Sequence, residues 1–224
     1  LALKAGVTAY RGVATPASSA GLPNGLTTTD NETIQAGTYV FACGPWLPTL
    51  FPEILSKCLY PTRQEVFFFG APPGDNRFAP PNLPTNIIFG GEAYCVPDLD
   101  GRGVKIGMDH HGQRIDPDND DRIPSTEKLH RAQLILGSRF PALRGAPLVE
   151  SRVCQYTNTS SGDFLVDRHP KHSNIWLVGG GSGHGFKHGP AVADYFISQL
   201  DGRVPAEPQL TLATKNTVLQ RTVY

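Results

Sequence analysis

Residues 174–190 read Asn174-Ile175-Trp176-Leu177-Val178-Gly179-Gly180-Gly181-Ser182-Gly183-His184-Gly185-Phe186-Lys187-His188-Gly189-Pro190. A short apolar run enters a glycine-rich turn. Pro190 then opens a helical pattern through Val192, Tyr195, Phe196 and Leu200, which Asp201-Gly202 closes. The spacing predicts a buried strand, a tight turn and a helix, the strand-to-helix transition of α/β nucleotide folds. Such a turn aims backbone N–H groups and a helix dipole at an electron-rich ligand. It is not the dinucleotide fingerprint, because Gly-x-Gly-x-x-Gly spacing is absent, and without Gly-Lys-Ser/Thr it is not a P-loop. A hydrolase elbow, Gly-x-Ser-x-Gly, fails because His184 stands where glycine is required. A close-packed structural turn is the plainer alternative. Six glycines beside His184 and Lys187 favour a ligand site.

The rest of the chain bounds what that site can serve. In 224 residues, Lys plus Arg and Asp plus Glu are each 20, a net charge of zero that argues against nucleic-acid or anionic-membrane partners. Gly 24 and Pro 20 disfavour a coiled coil or helical repeat, while 39% hydrophobic residues suffice for a core. No stretch approaches the ~18–20 apolar residues of a membrane span, and no signal peptide opens the chain. The expectation is a soluble, cytoplasmic protein. Cys43, Cys58, Cys95 and Cys154 include no Cys-x-x-Cys pair, which argues against a zinc ribbon or thioredoxin site and for a reducing compartment.

Working outward from the turn, Thr38-Tyr39-Val40-Phe41-Ala42-Cys43 predicts a second buried strand, stopping at Gly44-Pro45 and running into Trp46. Further strands are expected at Val7-Thr8-Ala9-Tyr10 and at 65–69, 86–89, 104–108, 147–156 and 164–166, with a turn at Pro23-Asn24-Gly25 and a hairpin around Asp30-Asn31. Ser125 or Thr126 caps a helix that Gly137 should stop. The last 22 residues read as a surface tail. The class is α+β, derived from α/β, in two domains, with the chain leaving one near Cys58 and returning near Ser161.

Two further patterns are weaker. Asp116-Pro117-Asp118-Asn119-Asp120 with Glu127 imitates a calcium loop, but Asp121 and Pro124 occupy positions the loop cannot give them, so a solvated turn before the helix is preferred. Asp109-His110-His111, His130, His169, His172, His184 and His188 invite a metal, yet none shows the spacing of a helical zinc site, and none is expected. Cys154, in a strand with Val153 and Gln155, reads equally as a buried structural thiol or as a functional one.

Four segments, in order and in register, resemble the flavin amine oxidases of the sarcosine oxidase type, which include N-methyltryptophan, pipecolate and fructosyl amino acid oxidases. They are Tyr39-Val40-Phe41-Ala42-Cys43-Gly44-Pro45-Trp46; Val104-Lys105-Ile106-Gly107 with Gly112-Gln113 and Asp116-Pro117-Asp118; Arg152-Val153-Cys154-Gln155-Tyr156-Thr157; and Ser182-Gly183-His184-Gly185-Phe186-Lys187. The resemblance implies FAD, held covalently at Cys154 through a thioether and contacted by Gly44, Trp46, Gly181, Ser182, Gly183, His184, Gly185, Phe186 and Lys187. It implies Lys105, Asp109 and His184 as catalytic residues, Lys105 being the oxygen-activating one. Tyr94, Tyr156 and Lys187 would bind substrate, Lys187 through its carboxylate. Asp109 stands where the family often has histidine. The implied reaction oxidises a C–N bond of an amino-acid-like amine with O2 and releases H2O2.

The family's N-terminal Gly-x-Gly-x-x-Gly has no counterpart here. The chain therefore resembles the C-terminal portion: a mixed β-sheet substrate domain at 58–160, flanked by segments 1–57 and 161–224 of an incomplete FAD-binding Rossmann-like domain. FAD is expected to be weakly held or absent in this chain alone, and a missing N-terminal half, or self-association, to complete it. The rivals are a non-catalytic, partner-binding fragment and a dehydrogenase with another acceptor, against which Lys105 weighs.

Overall fold

The computed structural model describes residues 3–18, 21–88 and 93–215. Its strands are β1 (Ala14–Ser18), β2 (Gly21–Thr28), β3 (Thr33–Ile34), β4 (Tyr39–Phe41), β5 (Leu59–Phe69), β6 (Asn86–Ile88), β7 (Ala93–Val96), β8 (Val104–Met108), β9 (Leu148–Thr159), β10 (Leu165–His169) and β11 (His172–Gly179). Its helices are α1 (Leu47–Leu50), α2 (Pro52–Leu55), α3 (Thr126–Arg139), α4 (Gly189–Leu200) and α5 (Leu212–Lys215). No described helix is long and apolar enough to cross a membrane. All four cysteines are free.

The largest sheet is antiparallel, in the order β6-β7-β8-β5-β9. Because side chains alternate along a strand, its register sorts residues onto two faces. Phe67, Phe69, Ala93, Cys95, Val104 and Ile106 pack against Ala132, Ile135 and Leu136 of α3 in one core. Complete burial of each such large side chain contributes about 1.5–3 kcal/mol. The opposite face carries Gln64 across from Cys154, Thr62 across from Tyr156, and Gly107 across from Tyr94. Lys105 sits between Phe68 and Val96 on that face.

A smaller sheet, β10-β11-β4, pairs β11 parallel to β4, with Ile175 opposite Tyr39 and Leu177 opposite Phe41. These residues join Leu47, Leu55, Leu59 and Leu165 in a second core. The two predicted strand-to-glycine transitions therefore lie side by side, both ending at the same edge. β1, β2 and β3 form a separate antiparallel meander, with Asn31 at a φ of 58° in the expected hairpin.

Several expectations are corrected. Val7-Thr8-Ala9-Tyr10 forms no strand and is exposed; pairing begins at Ala14, opposite Thr28. Pro23-Asn24-Gly25 makes no turn between elements: it lies within β2 at an irregularity, where the register shifts from Pro16 opposite Leu26 to Ser18 opposite Gly21 and Gly25 takes a φ of 90°. Gly137 does not stop α3: it is buried inside the helix, which runs to Arg139 before Pro141. The tail carries α5, whose Lys215 is 1% exposed and donates to Ser161 Oγ at 3.2 Å and to the Gln209 carbonyl. Phe89, expected to end β6, lies outside the described residues, as do 216–224.

Candidate active site

Sequence motifs far apart meet where the glycine turn joins β9. Ser182 N donates to the Thr157 carbonyl at 2.9 Å, and Ser182 Oγ accepts from Thr159 N at 3.4 Å. Gly183 has φ +85°, and a Cβ there would stand 2.2 Å from the Tyr156 ring. Only glycine permits both the conformation and the contact. On β8, Gly107 plays a matching part: a Cβ would lie 2.5 Å from Tyr94 Cζ, so the Tyr94 ring lies across the strand.

Between these rings is a cavity of about 450 Å³, lined by Tyr94, Lys105, Asp109, Tyr156, His184 and Lys187 among others. Lys105 is half-buried, its Nζ 5.2 Å from the Tyr94 ring centroid. Burial pulls its pKa below the ordinary lysine value; Cys154 opposes that, and Arg102 and Arg152 add to it. Burial also raises the Tyr94 and Tyr156 phenols. Asp109 is pushed up by burial against the opposing charges of His110 and His111, and its Oδ2 is buried without a partner among the described residues. Burial lowers the His184 pKa, partly countered by its backbone contact with Ser182. Its ring lies edge-on to Phe164 at 5.4 Å.

On the other side of the turn is a more apolar hollow of about 580 Å³, reached by Val40, Gly44, Pro45, Gly181, Gly185 and Phe196. Val40 and Phe186 are exposed there. Gln155 also lines it, and its amide oxygen is buried with no hydrogen-bond partner among the described residues. An apolar, glycine-walled space with an unmatched acceptor suits a flat heteroaromatic ring system.

Of the residues singled out in sequence, Tyr94, Lys105, Asp109, His184 and Lys187 line the polar cavity, and Gly44, Gly181 and Gly185 line the apolar hollow. Tyr156, Ser182, Gly183 and Phe186 border both. Trp46 borders neither; its indole N–H donates to Asp118 at 2.7 Å. Cys154 borders neither but shares the sheet face with Lys105 and Tyr156.

Sequence reading missed Gln64, whose Oε1 accepts from Gly112 N at 2.6 Å and whose Nε2 donates to the His110 carbonyl. It also missed Arg63, which pairs with Glu65 at 2.9 Å, Asp120 at 2.6 Å and Asp121 at 3.0 Å. Asp120 is thus a buried ion-pair partner and not part of a solvated turn. The available signal was the polar run Arg63-Gln64-Glu65 inside an otherwise apolar strand.

An apolar hollow and a polar, lysine-bearing cavity divided by one glycine turn form the layout of a cofactor-dependent enzyme. Residues 1–199 match the family model described as FAD dependent oxidoreductase, and the chain belongs to that family. It is 34% identical over 179 residues to a monomeric sarcosine oxidase of a Bacillus species, covering 77% of this chain and 45% of that protein. It is 29% identical to the N-methyl-L-tryptophan oxidase of Salmonella typhi, covering 82% and 49%. In structure it resembles the fructosamine oxidase Amadoriase II of Aspergillus fumigatus, with TM-score 0.73, 21% identity, and coverage of 89% and 50%. The chain spans about half the length of the curated relatives it matches.

Proposed function

We propose that this chain forms the substrate side, and part of the cofactor side, of an FAD-dependent amine oxidase acting on a small amino-acid-like amine. The observation that carries the reading is Lys105, a half-buried cation that makes no ion pair among the described residues and stands on the same sheet face as Cys154. When bound, FAD accepts a hydride equivalent from the carbon beside nitrogen and passes the electrons to O2, giving H2O2.

The chain's own residues do the rest. Gly44, Gly181, Gly185 and Gln155 offer a surface for the ring system, with Gly183 and His184 at its border. Cys154 is the point of covalent attachment. Lys105 supplies a fixed positive charge where negative charge develops during oxygen reduction, and its place in a preformed sheet spares the cost of reorganisation. Lys187 receives the substrate carboxylate. Tyr94 and Tyr156, locked by glycine contacts, shape the pocket and exclude water around the amine. The large sheet with α3, residues 58–160, forms the substrate domain, and the flanking segments belong to the cofactor domain. A further segment carrying the ADP-binding turn completes it.

Two measurements on the FAD-loaded protein test the reading. N-methyl amino acids should bleach the flavin anaerobically and drive O2 consumption. Flavin fluorescence should stay with the protein on a denaturing gel and be lost in Cys154→Ser. Fluorescence retained in Cys154→Ser would remove the attachment assignment, and no bleaching by any amine would remove the activity.

A further inference from the structure

We propose that the substrate carries a second cationic group, an ammonium at the far end of its side chain, and that Asp109 receives it. The proposal rests on the amine-oxidase reading above and names its substrate class. Asp109 is the one carboxylate among the described residues lining the polar cavity, which also holds Lys105 and Lys187. Its Oδ2 is buried with no hydrogen-bond partner among the described residues. The chain on either side of Asp109 is anchored. Met108 before it is buried at the end of β8. Beyond it, Gln64 grips both the His110 carbonyl and Gly112 N. Tyr94 and Tyr156 line the same cavity as Asp109.

A carboxylate held in this way either takes up a proton or meets a cation. The cavity is the side from which a cation can arrive. The reacting amine is a poor candidate, because its nitrogen must be neutral when hydride leaves, and a fixed negative charge beside it favours the protonated form. A polyol would offer hydrogen bonds but leave the charge uncompensated. A second ammonium compensates the charge without touching the reacting centre, while the substrate carboxylate is drawn to Lys187. One cavity therefore reads two opposite charges on one ligand, on either side of a neutral reacting amine.

The test compares Nα-methyl-lysine with Nα-methyl-norleucine, which lacks only the terminal ammonium, on the FAD-loaded protein. The lysine derivative should have the higher kcat/KM by about tenfold or more, and Asp109→Asn should bring the ratio toward one. Asn keeps the shape and much of the hydrogen bonding, so the change isolates charge. A ratio near one in the wild type would overturn the proposal, as would equal slowing of both amines by Asp109→Asn, which would assign the carboxylate to the reacting nitrogen. A preference for N-fructosyl-glycine that survives the substitution would overturn it in favour of hydroxyl recognition. Should no amine bleach the flavin, the oxidase reading fails by itself, and calorimetry still decides Asp109. There 6-aminohexanoate should bind about tenfold more tightly than hexanoate, and Asp109→Asn should abolish the difference; equal affinities in the wild type overturn the inference.

Discussion

The face of the large sheet that meets α3 and the face that meets the cavity use the same strands, yet they treat charge differently. Under α3, Arg63 is buried but bonded to Glu65, Asp120 and Asp121. Glu65 in turn accepts from Ser125 N at 2.7 Å, which secures the start of the helix. Across the same sheet, Lys105 makes no ion pair among the described residues, and Asp109 leaves an oxygen unmatched. The cysteines divide likewise: Cys95, in the core, is pushed up to about 11 by burial, with Asn86 opposing, whereas Cys154 is half-exposed on the other face. Paired buried charges hold a fold together. Unpaired ones cost stability and persist where a ligand is to supply the partner.

Five substitutions would sharpen or break that contrast. The largest effect on stability is expected from Phe67→Ala, which empties a fully buried position under α3 and should cost about 3–5 kcal/mol in urea unfolding. Next is Arg63→Met, which strands Glu65 and Asp120; it should cost about 3 kcal/mol, near the low end for breaking a buried pair. Burial opposes the Glu65 charge, but Arg63, Ser125 and Lys128 win and hold its pKa below the usual value. Its contribution is thus present above the ordinary glutamate pKa and is lost as pH falls through the depressed one. Glu65→Gln should flatten stability against pH in that acidic window, and an unchanged slope would break the structural assignment.

On the cavity face the effects move from stability to rate. Lys105→Met should slow flavin reoxidation by O2 on the order of 10²–10³-fold, with reduction by substrate slowed far less in stopped-flow traces. Its unfolding midpoint should barely shift, because no ion pair is lost. Equal slowing of both half-reactions would place Lys105 in substrate binding. The smallest effect on stability, within about 0.5 kcal/mol, is expected from Cys154→Ser, whose signature is the loss of covalent flavin. A large destabilisation there would return Cys154 to the structural role of Cys95.

Much of this was legible in order along the chain. The apolar runs at 175–178 and 39–41 folded as strands ahead of their glycines, but β4 is buried on one face only, with Val40 45% exposed. Ser125 proved to be the helix cap, accepting from Lys128 N at 3.3 Å. What failed were local signals that tertiary context overrode: Gly137 kept inside α3 with Arg144 against it, and Lys215 buried in what looked like a surface tail; Pro23-Asn24-Gly25 became an irregular stretch of β2 instead of a turn between elements. Gln64 and Arg63 were passed over because a polar residue inside a strand has no local partner to announce its role.

The sequence by itself determined which elements form and which residue types are available, since strand alternation, capping and glycine turns depend on neighbours a few positions away. It also carried the family motifs in order. Only the tertiary structure decided that β5 stands between β8 and β9, so that Lys105, Cys154 and Tyr156, some 50 residues apart, share one face while Phe67 and Arg63 share the other. That sorting rests on register, and a slip of one residue along β5 would exchange the faces. Whether a charge finds a partner is likewise a matter of which distant segments meet.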